Sequence, residues 1–257
     1  MIVDALKYPF RGDDRARTFG IGSALMILTV LLVQVGRSLP SAIFLLAFVV
    51  ILTLLATVFG YLVRCMSQAQ GATCDPPAFA QPKRLLIQGA SAIAIALAYF
   101  LVPFVLILLE VVLSGGAVTG LTVGMTLLTY LLLLIEIFLL PVAVTNYAIT
   151  DDIRAAFDFK TIASGVATGT YVVSFLIAFV CTILMQIMEF VRGVIHINFG
   201  GMGVLFLVFT LITTPIAFYL YMVNARVLSR GCANALSPSN PEEPSDETPA
   251  GDGVAGN

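Results

Sequence analysis

The chain is 257 residues long, 59% hydrophobic and only 11% charged, with a formal net charge of −2. A charged share roughly half that of an ordinary soluble domain excludes a soluble globular protein and leaves a membrane-embedded one. No strongly basic balance points to nucleic acid, and none is expected as a partner.

In chain order, residues 1–17 are basic and aromatic. A helix there places Ile2, Leu6 and Phe10 on one face and Asp4, Lys7 and Arg11 on the other, a pattern suited to lying in the membrane interface. A plain polar helix end is the alternative. The first predicted span is 18–36. It is longer than the roughly 7–15-residue core of a signal peptide, and Gly36-Arg37-Ser38-Leu39 lacks a small-x-small cleavage pattern, so the segment is expected to be retained. The second span is 40–63 and the third 85–109, the latter carrying Pro103.

The fourth span, 120–144, is approached by Gly116, Gly120 and Gly124 at four-residue intervals, a spacing that suits close approach of another helix. It contains Tyr130, Glu136 and Pro141. A second short interfacial segment follows, with Ile153, Ala156 and Phe157 opposite Asp152, Arg154 and Asp158. The fifth span is 169–190 and the sixth 203–223, the latter with Pro215. Each is long enough to cross a bilayer core, which takes about 20 apolar residues, and near-continuous apolar runs identify helices rather than barrel strands. Pro103, Pro141 and Pro215 each remove a backbone donor and are expected to kink their helices. Residues 237–257 hold four prolines and five acids with no Lys or Arg. They read as a disordered acidic tail, leaving residues 1–236 as the membrane domain with a formal charge of +3.

Basic residues divide unevenly between the connections. Lys7, Arg11, Arg15, Arg17, Arg64, Lys83, Arg84, Arg154, Lys160, Arg226 and Arg230 fall on one side, Arg37 and Arg192 on the other. The positive-inside rule then predicts a multi-pass protein of the cell membrane with both termini cytoplasmic. Cys65, Cys74, Cys181 and Cys232 match neither a zinc nor a redox spacing, and the single His196 has no acidic or thiol neighbour, so no metal and no cofactor is expected.

A weak internal repeat suggests three tandem two-helix hairpins led by short interfacial helices. Phe10 precedes Gly20, Phe79 precedes Gly89 and Phe159 precedes Gly169, each by ten residues. Together Asp4-Ala5-Leu6-Lys7-Tyr8-Pro9-Phe10-Arg11, Gly60-Tyr61-Leu62-Val63-Arg64, Asp75-Pro76-Pro77-Ala78-Phe79 and Arg154-Ala155-Ala156-Phe157-Asp158-Phe159 resemble the domain of unknown function 4013 family over about residues 1–232. The resemblance implies a multi-helix membrane protein of a kind found largely in halophilic archaea. It brings no activity and no site residues. Relatives often carry an acidic, tryptophan-containing stretch after Pro-Pro-x-Phe, where this chain has Ala80-Gln81-Pro82-Lys83 and no Trp.

Glu136 is the one ionisable side chain that the predicted boundaries place well inside a span. An unpaired carboxylate there costs several kcal/mol, so it is expected to be neutral and hydrogen-bonded to a neighbouring helix, or else to form an ion or substrate site with Tyr130. No nucleophile with a positioned base is legible, and enzymatic activity is not expected. Two functions remain: a non-enzymatic protein that organises lipid or a partner, and a carrier of a small solute or ion using Glu136.

Overall fold

The computed structural model describes residues 2–36, 39–68, 75–114, 119–198 and 203–236. Arg37, Cys74, Gly116 and the 237–257 tail lie outside them. The fold is an all-α polytopic membrane bundle. Helix α1 (Ile2–Lys7) runs into a 3-10 turn, Tyr8–Phe10, and is followed by α2 (Arg15–Gly36) and α3 (Ser41–Ser67). Next come α4 (Pro82–Tyr99), α5 (Leu101–Ser114) and α6 (Gly120–Thr150). A 3-10 segment, Ile153–Phe157, leads to α7 (Phe159–Val166), then α8 (Gly169–Asn198) and α9 (Val204–Leu236).

Five of these helices are long and apolar enough to cross a membrane, and the bent pair α4 and α5 makes a sixth crossing if taken together. The helices outrun the apolar segments that announce them. α9 has 33 residues, about 50 Å at 1.5 Å each, against a hydrocarbon core about 30 Å thick. Backbone hydrogen bonding continues into the interface, where nothing in the lipid boundary stops it.

The third predicted span is divided. α4 and α5 meet at Phe100 with a bend of 45°. Pro103 has no N–H to offer the Tyr99 carbonyl, and its ring crowds that oxygen, so the ladder breaks there. Pro141 and Pro215 sit inside α6 and α9 without dividing them.

α9 is the central helix. It packs against α2, α3, α6, α7 and α8 and buries Phe206, Phe218, Met222, Val223 and Val227. Most extensive of the other pairings is α3 with α4, which joins two of the expected hairpins rather than lying within one. A Cβ on Gly89 would fall on the Ala56 carbonyl of α3, and one on Gly60 would fall on the Leu85 carbonyl of α4. Gly20 and Gly169, the other glycines of the repeat, have nothing within 4 Å of such a Cβ, so the three are not structurally equivalent. Helical segments lead into the first and third pairs of spans, but residues 75–81 before α4 are not helical.

The expected packing face of α6 also differs. At Gly120 and Gly124 an added Cβ meets nothing within 4 Å, so no helix presses on them. α5 packs against α4 and α6, and much of its surface is lipid-facing, Val112 being 76% exposed.

Candidate functional site

The basic segments meet at one end of the bundle. Arg64 donates through Nη1 to the Ala80 carbonyl at 2.7 Å and through Nε to Gln88 at 3.3 Å. Arg84 and Gln88 both reach Asp151, at 3.1 and 3.2 Å. A polar cleft of about 610 Å³ opens there, lined by Lys83, Arg84, Gln88, Ser91, Asp151 and Asp152. Nearby in the chain order of the motif, Asp4 pairs with Arg11 at 2.6 Å and with Arg230, tying α1 to the end of α9. Burial raises the Asp4 carboxyl, but the Arg11 hydrogen bond and the Arg230 and Arg226 charges outweigh it and hold the pKa below the ordinary 3.8.

Tyr8 is wholly buried, and its ring lies 4.8 Å from the Arg226 guanidinium, which is itself fully buried. Burial pushes the Tyr8 phenol well above its ordinary range. Arg226 donates through Nη1 to the Gln68 carbonyl at 3.0 Å. Tyr61 stacks on Phe79 at 4.1 Å and packs with Tyr8 and Cys65 in the same cluster. The Asp4 to Arg11 motif, the Gly60 to Arg64 motif and the Pro-Pro-x-Phe motif are therefore parts of one contact set.

Between α3, α4, α6 and α9 lies an apolar chamber of about 440 Å³. Phe59, Met66, Ala96, Phe100, Leu140 and Pro141 are among its walls, with Tyr221 and Asn224 as the polar residues. Asn224 is 9% exposed; its Nδ2 donates to Thr182 at 3.3 Å while its Oδ1 is buried without a partner.

An ion pair reaching into the bundle was invisible to the predicted boundaries, which put Arg192 in an outer loop. α8 continues to Asn198, and Arg192 points into the bundle, 3% exposed. Its Nη1 contacts both Glu189 oxygens at 2.7 and 2.9 Å, and its Nη2 donates to the Thr213 and Thr214 hydroxyls at 3.0 and 3.3 Å. The available signal was the apolar Val191, Val194, Ile195 and Ile197, which carry the helical pattern past Phe190.

Among the described residues the Glu136 side chain makes no hydrogen bond, and its Oε2 is buried without a partner. The expected interhelical bond is not found among them. Tyr130 is 66% exposed and lines an outer groove with Glu110, Thr126 and Thr129, a lining that does not include Glu136. There Thr126 donates to Glu110 across α5 and α6. The two residues read together from the sequence thus lie apart.

Among the described residues no three His, Cys, Asp or Glu side chains gather as a metal site. A family model described as a protein of unknown function (DUF4013) matches residues 43–197. No curated protein and no solved structure matches the chain.

Proposed function

This chain belongs to the DUF4013 family, and from its architecture we propose a non-enzymatic, membrane-organising protein that holds a lipid acyl chain between α3, α4, α6 and α9. The observation that carries this reading is the apolar chamber. At about 440 Å³ it has the size of a small-molecule site, and its walls are the side chains an alkyl chain would meet in the bilayer. α4 gives way to α5 with a bend of 45° at Phe100, and α4 and α6 pack little against each other beside the chamber.

Protein purified in mild detergent, extracted with organic solvent and analysed by mass spectrometry should yield a stoichiometric lipid. Ala96→Phe, which adds a ring to the chamber wall, should lower that yield severalfold, whereas Val112→Phe on the lipid-facing side of α5 should not. Equal yields from all three proteins would end this reading.

The basic end is proposed to face the cytoplasm across the cell membrane, on the positive-inside rule. Native Cys65, Cys181 and Cys232 are buried, so the test uses cysteines placed at exposed sites in a background without any of the four native cysteines. An impermeant thiol reagent on intact cells should label Asn198→Cys and miss Lys83→Cys. The reverse pattern would invert the orientation.

A second reading, a carrier that uses Glu136, is favoured by one observation only: a buried carboxylate oxygen with no partner in the middle of a spanning helix.

A further inference from the structure

α5 and α6 face each other through two short stripes. Ile107, Glu110, Val111 and Ser114 recur at helical spacing on α5, and Thr126, Thr129, Tyr130 and Leu133 do so on α6, so each set occupies one side of its helix. The groove between them measures about 330 Å³, at the lower end of small-molecule sites. Glu110 Oε1 accepts the Thr126 hydroxyl at 2.5 Å, and among the described residues no Lys or Arg pairs with this carboxyl group. Thr129 is 4% exposed, and its Oγ1 is buried without a hydrogen-bond partner. A helical threonine commonly returns its hydroxyl to the carbonyl four residues back, as Thr145 does to Pro141 at 2.7 Å. Thr129 makes no such bond, and its hydroxyl is left to the groove that it lines.

We propose that this groove binds a primary alkylammonium group. Its lining joins one carboxyl group to hydroxyls and includes no basic side chain, which complements a cation and repels an anion. An ammonium group donates in three directions, and the Glu110 carboxylate and the idle Thr129 hydroxyl are acceptors for it. Tyr130 brings an aromatic ring to the same wall, and a ring face attracts a cation. Ile107, Val111 and Leu133 supply apolar contact for the alkyl stem, which a metal ion could not use. Glu110 is the single acid of the lining, too few for a divalent cation. The group sought is carried both by free amines and by the ethanolamine headgroup of a phospholipid. The groove shares no lining residue with the apolar chamber and does not depend on what the chamber holds.

Calorimetric titration of the full chain in nanodiscs of phosphatidylglycerol, a lipid without an amine, tests the proposal with n-butylammonium as the probe and empty nanodiscs as the blank. The wild type should bind n-butylammonium and should not bind n-butanol, which has the stem without the charge. Glu110→Gln keeps an acceptor for Thr126 but removes the charge, and should weaken binding by about tenfold or more. Thr129→Val should weaken it severalfold, and Thr129→Ser should retain it. Thermal unfolding in detergent should be the same for Glu110→Gln as for the wild type, showing that the fold survives. Phosphatidylethanolamine added to the nanodisc separates the two sources: a headgroup ligand lowers the apparent affinity for n-butylammonium by competition, whereas a site for soluble amines leaves it unchanged. A wild type that does not bind n-butylammonium, or an equal affinity in Glu110→Gln, overturns the proposal.

Discussion

Gly60 and Gly89 interlock across the α3 and α4 crossing, the space for each missing Cβ being filled by backbone of the other helix, at Leu85 and Ala56 respectively. Backbone cannot rotate out of the way as a side chain can, so a methyl group at either position must push the helices apart. Gly60→Ala and Gly89→Ala should each destabilise the protein by about 1–3 kcal/mol, the usual cost of overpacking. Gly124→Ala, in open space, should be neutral or gain up to about 1 kcal/mol of helix propensity. Unfolding in detergent micelles reads the contrast, and a Gly89→Ala protein as stable as the wild type would show that the crossing is loose.

Arg192 engages Glu189 and two threonine hydroxyls through a planar fork. Arg192→Ala leaves Glu189 without its cation in a membrane helix and should cost about 3–5 kcal/mol. Arg192→Lys should recover little, because one ammonium cannot reproduce the fork. The double variant Arg192→Met with Glu189→Gln should be more stable than Arg192→Ala, since no lone charge is left. The same unfolding measurement ranks all three.

Asp4 gives the docking of α1 a pH dependence. Its carboxyl is held below the ordinary 3.8 in the folded protein. The stabilisation is therefore complete above that value and is lost as the pH falls through the lower, folded-state pKa. Asp4→Asn should release α1 already at neutral pH, at a cost on the order of 1 kcal/mol for this partly exposed cluster. Limited trypsin digestion at Lys7, slow in the wild type and faster in Asp4→Asn, would report it; equal rates would mean that Tyr8 alone holds the segment.

Glu136 separates the two functional readings. Because it donates to and accepts from no side chain, Glu136→Leu should be neutral or stabilising, and lipid yield should match the wild type. A carrier would instead lose activity in both Glu136→Leu and Glu136→Gln while remaining folded. Reconstituted protein tested for proton-coupled ion or solute flux, with Gln and Leu variants side by side, decides between these results.

The class of the protein, the approximate places of its crossings and the gathering of its basic residues were legible in the sequence. Transfer of a helix into lipid depends on its own composition, so a run such as 120–144 announces itself whatever surrounds it. The tertiary structure decided the rest. Arg192 could be seen inside the bundle only once α8 was followed past Phe190 and set against Thr213 and Thr214. Gly60 and Gly89 matter for packing because two backbones meet there, and Gly22 and Gly231 lie close against Phe218 and Ser174; the regular spacing of Gly120 and Gly124 finds no neighbour. Glu136 and Tyr130 share a helix, but the groove that Tyr130 lines does not include Glu136, and the chamber draws its wall from four helices that span residues 59 to 228 of the chain. Burial in lipid is a property of one segment, whereas contact is a property of pairs of faces, and no single helix carries the information that selects its partner.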